Sequence, residues 1–149
     1  MTATYDYDPL VVTAYHESGH CIGYLHYGWK FGGVRISKVN GRTNGALRSL
    51  RGTYDLIGRA VCCMAGPVAE AAITGVNWRE QDGSHTDIAM AREALGMMRL
   101  RGERLDIASV LPFTEMLVND QWSYIQLIAG YLLARRELSY EQVLGLTRR

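Results

Sequence analysis

The chain has 149 residues and is 48% hydrophobic, enough for a single domain over residues 1–149 with a real core. Its formal charge of +1 gives no electrostatic case for nucleic acid or an anionic membrane surface. Three cysteines, Cys21, Cys62 and Cys63, lie in apolar stretches without C-x-x-C spacing, which argues against a thiolate metal site and for buried, reduced thiols in a cytoplasmic protein.

The opening "MTATYDYDPL" lacks the basic and apolar regions of a signal peptide. Asp8-Pro9 reads as a helix start, an N-cap followed by proline at the first helical position. Apolar spacing through Val12, Tyr15, Ile22 and Leu25 carries that helix to about Gly28. "GGVRISKVN" sets Val34, Ile36 and Val39 against Arg35 and Lys38, the alternation of a half-exposed strand. "NGRTNG" then supplies a turn and "ALRSL" the returning strand of a hairpin.

From Thr53 to Thr74 the composition is helical, with Gly66-Pro67 expected to kink or break the helix. The apolar run within it, Ala60 to Val76, is interrupted by Pro67 and Glu70 and is expected to be too short to span a bilayer. Residues Val76 to Gly83 read as a loop, and a new helix opens at Ser84 with Ile88, Ala91, Leu95 and Met98 on one face. Pro112 is expected to mark a division among later helical stretches, roughly Leu105 to Leu117 and Asp120 to Arg136. Ser139 with Gln142 forms a capping box before a last helix. The fold class is therefore mainly α, an α+β domain with a small hairpin.

The chemistry concentrates in "AYHESGHC", Ala14 to Cys21. Four residues apart on a helix, His16 and His20 lie one turn above each other and can offer ring nitrogens to one ion. Glu17 projects to the adjacent side, where it can take a proton from a water at the ion's open position. Gly19 leaves space beside the pair. A catalytic site of this kind needs a third protein ligand. Candidates are His26, Glu70, His85 and Asp87. His26, six residues beyond His20, is assigned to the surface or to packing. Glu70 lies among small apolar residues and is a stronger contender. Asp87, in the first turn of its helix, is also explained by the helix dipole alone, with Ser84 as the cap. His85 qualifies on chemistry.

Four stretches carry a family resemblance. "TAYHESGHC" resembles the zinc motif of the peptidase domain of FtsH-type AAA+ membrane proteases, peptidase family M41. "AGPVAEAAITG" is similar to that family's following small-residue helix, and "GSHTDIAMA" to the segment whose aspartate completes its zinc site. "NDQWSYIQLIAGYLLARRELSYEQVLGL" is similar to its closing helices. The resemblance implies zinc as cofactor, His16, His20 and Asp87 as its ligands, Glu17 as general base, and Glu70 behind them orienting a ligand. His85 is the substitute for Asp87.

The family's ATPase carries a Gly-x-x-x-x-Gly-Lys-Ser/Thr loop that this sequence does not contain. The connection from Leu47 to Tyr54 is shorter than in the family, and Pro67 falls in a helix continuous there. The expected function is hydrolysis of peptide bonds in flexible or unfolded polypeptides, without ATP and without a membrane span. A homo-oligomer or a separate ATPase is an expected partner. The alternative is a non-catalytic or partner-dependent zinc-binding module derived from such a peptidase. "FGGVRIS" is either an edge strand that pairs with extended substrate or a plain structural hairpin. Trp29, Trp78 and Trp122 are assigned to packing rather than to pocket walls.

Overall fold

The computed structural model describes residues 7–40, 42–49, 55–100, 102 and 105–148. Its first helix, α1, spans Pro9–His26, and the Asp8 carboxylate accepts from the Leu10 N–H at 2.9 Å. Proline fits at that first position because its N–H would have no intrahelical partner. From His16 to Gly23 every α1 residue is buried, so this polar-looking helix runs through the interior.

Strands β1 (Phe31–Val39) and β2 (Arg42–Ser49) form the expected hairpin. Its turn is tighter than "NGRTNG" suggested, since Arg42 to Gly45 already pair with β1 and the returning strand starts four residues before "ALRSL". Val39 pairs with Arg42, and Asn40 takes the left-handed φ of 51° that so tight a turn demands. Val34 and Ile36 face the core, but Val39 at the hairpin tip is 56% exposed, contrary to the alternation read from sequence. Leu50 and residues 51–54, including Thr53 and Tyr54, lie outside the described residues.

Helix α2 spans Leu56–Thr74, capped by Asp55 at its start and by Gly75 at φ 74° at its end. Pro67 does not break it. Proline removes the donor for the Cys63 carbonyl, at a cost of about 3 kcal/mol in an isolated helix. Here all residues from Ala60 to Glu70 are buried, and packing against the neighbouring helices holds the helix continuous. Length and composition alone would let its 19 residues cross a membrane, so the expectation of too short a run does not stand; two thirds of that window is buried inside the fold.

A single 3-10 turn at Trp78–Glu80 interrupts the following loop, and α3 (His85–Leu100) buries Ile88, Ala91, Leu95 and Met98 as expected. Helix α4 (Ile107–Asp120) contains Pro112 in its second turn rather than ending there, and α5 spans Trp122–Arg135. Arg136 then takes a left-handed φ of 68°, and its carbonyl accepts from the Ile36 N–H at 2.8 Å. This turns the chain into a third strand, β3 (Glu137–Leu138), which the sequence reading missed. Helix α6 (Tyr140–Thr147) begins with the capping box of Ser139 and Gln142. The sheet order is β2-β1-β3, all antiparallel, giving a mainly α, α+β fold.

Helices α1 and α2 cross at very short range. A Cβ on Gly19 would meet the Ala65 carbonyl oxygen at 2.3 Å, and one on Gly23 would meet the Cys62 Cα at 3.0 Å. Replacing Gly19 by alanine gains up to about 1 kcal/mol of helix propensity. The clash is with backbone, which cannot swing away, and overpacking of this kind costs about 1–3 kcal/mol or more. Gly19→Ala is expected to lower the melting temperature by several degrees, whereas Gly96→Ala, with nothing within 4 Å, is expected to raise it slightly. Thermal unfolding of the two variants checks this, and equal shifts would contradict it.

The three thiols are buried and unbonded to one another. Burial pushes Cys63 up to about 12 and raises Cys21 and Cys62 as well. Since the thiolate is the nucleophile, iodoacetamide at pH 8 is expected to label none of them in the folded protein and all three in denaturant. Rapid labelling of any one in the native state would refute the packing described.

Candidate metal centre

The close crossing places α2's backbone and side chains directly behind the histidines of α1. His20 Nδ1 lies 2.8 Å from the Cys62 carbonyl oxygen, an acceptor only, so Nδ1 carries the hydrogen. His16 Nδ1 lies 3.1 Å from Glu70 Oε1 and donates to that carboxylate. Gly66 permits the approach on the other side, because a Cβ there would lie 2.4 Å from His20 Nε2. With both Nδ1 atoms engaged, both Nε2 atoms are turned toward the same point.

That point is occupied by Asp87, at the third position of α3. His16 Nε2 is 2.8 Å from Asp87 Oδ2, and His20 Nε2 is 3.3 Å from Asp87 Oδ1. The two rings meet edge to face, with centroids 4.9 Å apart. His16, Glu17 and His20 can each present a ligand atom, all within 4.8 Å of one another. Asp87 joins them through the shorter ion-pair distances, so four side chains from two helices surround one small volume.

The arrangement calls for positive charge between the rings and Asp87. Two neutral imidazoles with hydrogen on Nδ1 would aim two lone pairs at a carboxylate, a repulsive arrangement unless a proton or a metal ion sits between them. Burial opposes the charged form of His16, but hydrogen bonds to Asp87 and Glu70 and the charges of Glu17 and Asp87 outweigh it, raising its pKa to about 10. Burial likewise works against charge on His20, yet Asp87 raises it. Burial would raise Asp87, and the two histidines instead hold it well below the usual carboxylate range. Glu17 is raised, burial outweighing the opposing histidine charges. The donor set of two imidazoles and a carboxylate, backed by Glu70 and a carbonyl, fits a metal ion.

Glu17 sits beneath β2: a Cβ on Gly45 would lie 2.6 Å from its Oε1. Two clefts meet there. One, of about 340 Å³, has apolar walls from Tyr24, Leu47 and Met90. The other, of about 870 Å³, is lined by polar groups including Thr13, Arg42, Asn44 and Asp82. Both share His16, Glu17, Gly45 and Gly83.

The remaining sequence candidates fall elsewhere. His85 is exposed at the first position of α3 and does not line either cleft, and His26 is exposed against Tyr27 and Phe113. The Ser84 hydroxyl donates to Gln81 rather than capping α3, although its carbonyl accepts the Ile88 N–H. Trp29 packs, stacked on Tyr27. Trp78 and Trp122, assigned to packing, line a separate groove of about 600 Å³ between α2 and α4. "FGGVRIS" is not an edge, because β1 lies between β2 and β3; the edge over the site is β2.

No protein-family model matches the chain, and no curated protein matches it significantly.

Loss of a group that orients a metal-bound histidine typically costs 10–100-fold in affinity. Glu70→Ala is expected to weaken divalent-metal binding by about that factor, while His85→Ala and His26→Ala leave it unchanged. Competition against a chromogenic chelator measures this, and an equal loss in His85→Ala would overturn the ligand set.

Proposed function

We propose that the chain is a zinc-dependent metallopeptidase of the M41-like HExxH type, cutting flexible or unfolded polypeptides. One observation carries the reading: His16 and His20, each fixed through Nδ1, turn Nε2 onto Asp87 beside the Glu17 carboxylate. In a tetrahedral site with metal–ligand bonds of about 2.0–2.1 Å, ligand atoms lie about 3.3–3.4 Å apart. The His20–Asp87 separation of 3.3 Å already has that length, and the His16–Asp87 separation of 2.8 Å is that of a charge-assisted hydrogen bond. Two imidazoles and a carboxylate with a glutamate alongside suit a hydrolytic zinc site.

His16, His20 and Asp87 would hold the ion. Zinc bound there would supply Lewis acidity, polarising the substrate carbonyl and acidifying a water. Glu17 accepts a proton from the attacking water on a carboxylate oxygen and delivers it to the amine nitrogen as the C–N bond breaks. Burial raises its pKa above the ordinary carboxylate value, making it a stronger base than an exposed glutamate. Among the described residues β2 pairs only with β1, and its other edge would offer backbone donors and acceptors to an extended peptide passing over Glu17 at Gly45, with the two clefts on either side. Such docking requires an extended chain, hence the preference for unfolded substrates.

General acid–base groups typically contribute 10²–10⁴-fold. Zinc-loaded protein is expected to cleave an intrinsically unstructured protein, and Glu17→Gln to reduce the rate by at least about 10²-fold with zinc content unchanged. A chelator should abolish cleavage and added zinc restore it. Equal cleavage by parent and variant, or none by zinc-loaded parent, counts against the peptidase reading.

A further inference from the structure

Gln81 is 1% exposed, the one polar residue among the largest fully buried side chains. Its Nε2 donates to the Pro67 carbonyl at 2.8 Å and to the Val76 carbonyl at 3.2 Å, while its Oε1 accepts from the Ser84 hydroxyl. The amide orientation follows from its partners: the nitrogen faces two carbonyls and the oxygen faces a hydroxyl. These bonds join two parts of the site that the chain brings together by separate routes. Pro67 belongs to α2, between Cys62 and Glu70, whose oxygens fix the two histidine rings. Ser84 precedes α3, its carbonyl takes the first helical hydrogen bond, and three residues on stands Asp87. Asp82 and Gly83, between Gln81 and Ser84, line the larger cleft.

We propose that Gln81 is a positioning residue for the third ligand: its buried amide ties the start of α3 to α2 and thereby sets Asp87 opposite the two Nε2 atoms. The inference rests on the metal reading above. In the loop of nine residues, Val76 to Ser84, Trp78, Gln81 and Ser84 are buried while Asp82 and Gly83 are exposed, and the Gln81 amide bonds both α2 and Ser84. Removing the amide frees α3 to shift at its first turn, where Asp87 sits beside Ile88, while Ala91, Leu95 and Met98 anchor its apolar face further along.

The test uses Gln81→Met, which keeps an unbranched side chain of similar length, and Ser84→Ala, which removes only the bond from the amide to α3. Zinc affinity is read by chelator competition, and the unfolding of metal-free protein by circular dichroism. Gln81→Met is expected to bind zinc at least tenfold more weakly while still unfolding cooperatively, and Ser84→Ala to show a smaller loss in the same direction. If both bind zinc within twofold of the parent, however far their melting temperatures fall, Gln81 is only a structural amide and the proposal is overturned. Should Gln81→Met fail to fold, Ser84→Ala decides by the same criterion. If the unsubstituted chain takes up no zinc, the metal reading fails and the positioning role falls with it.

Discussion

Helices α1 and α2 pass one another at backbone range where Gly19 faces the Ala65 carbonyl and the small Ala69 side chain, and the geometry of the site follows from that contact. Only at backbone range can a main-chain carbonyl, that of Cys62, reach His20 Nδ1, and only there can Glu70 bond His16 from the adjacent helix. The small residues that permit this, Gly19, Gly23, Ala65, Gly66 and Ala69, would be poor choices for a core built on apolar area alone. They trade buried surface for proximity. The crossing is thus a packing device and a means of fixing ring orientation at once.

Proximity brings an electrostatic burden. His16, Glu17, His20 and Glu70 are each under 9% exposed, and the Asp87 side chain is 19% exposed. Buried ionisable groups are tolerated when paired and hydrogen-bonded, and here every buried side-chain nitrogen and oxygen among the described residues has a partner. The cluster nevertheless places three carboxylates around two imidazoles. Positive charge at the convergence of the two Nε2 atoms, from a proton or from the metal ion proposed above, offsets that burden. The same field explains why Glu17 and Asp87 diverge. Glu17, shielded under β2, is pushed toward holding a proton, whereas Asp87, facing both rings, is held ionised. That divergence is what the proposed division of roles, a proton carrier and a ligand, requires.

Much of this was legible in the sequence because it is local. The i, i+4 spacing of His16 and His20, the Asp8-Pro9 start and the Ser139–Gln142 capping box each depend on neighbours within one helical turn. Asp87 and Glu70 could be placed only through resemblance, since spacing cannot show which distant helix faces α1. Non-local packing explains the misses. Pro67 and Pro112 read as breaks, but each lies in a helix held by its surroundings. The strand "FGGVRIS" gave no sign that Glu137 and Leu138 would occupy its second edge, a pairing made by the left-handed turn at Arg136. Gln81 carried no signal, because a glutamine in a polar loop looks like any solvated residue until its burial is seen.

The central claim is that His16, His20 and Asp87 together hold one metal ion. X-ray absorption at the zinc edge of the zinc-loaded protein tests it most directly. The expected result is one equivalent of zinc with only nitrogen and oxygen neighbours at about 2.0–2.1 Å and the outer scattering of two imidazoles. A sulfur neighbour at about 2.3 Å would place the ion on Cys62 or Cys63 instead, and zinc absent or bound without imidazole would contradict the account.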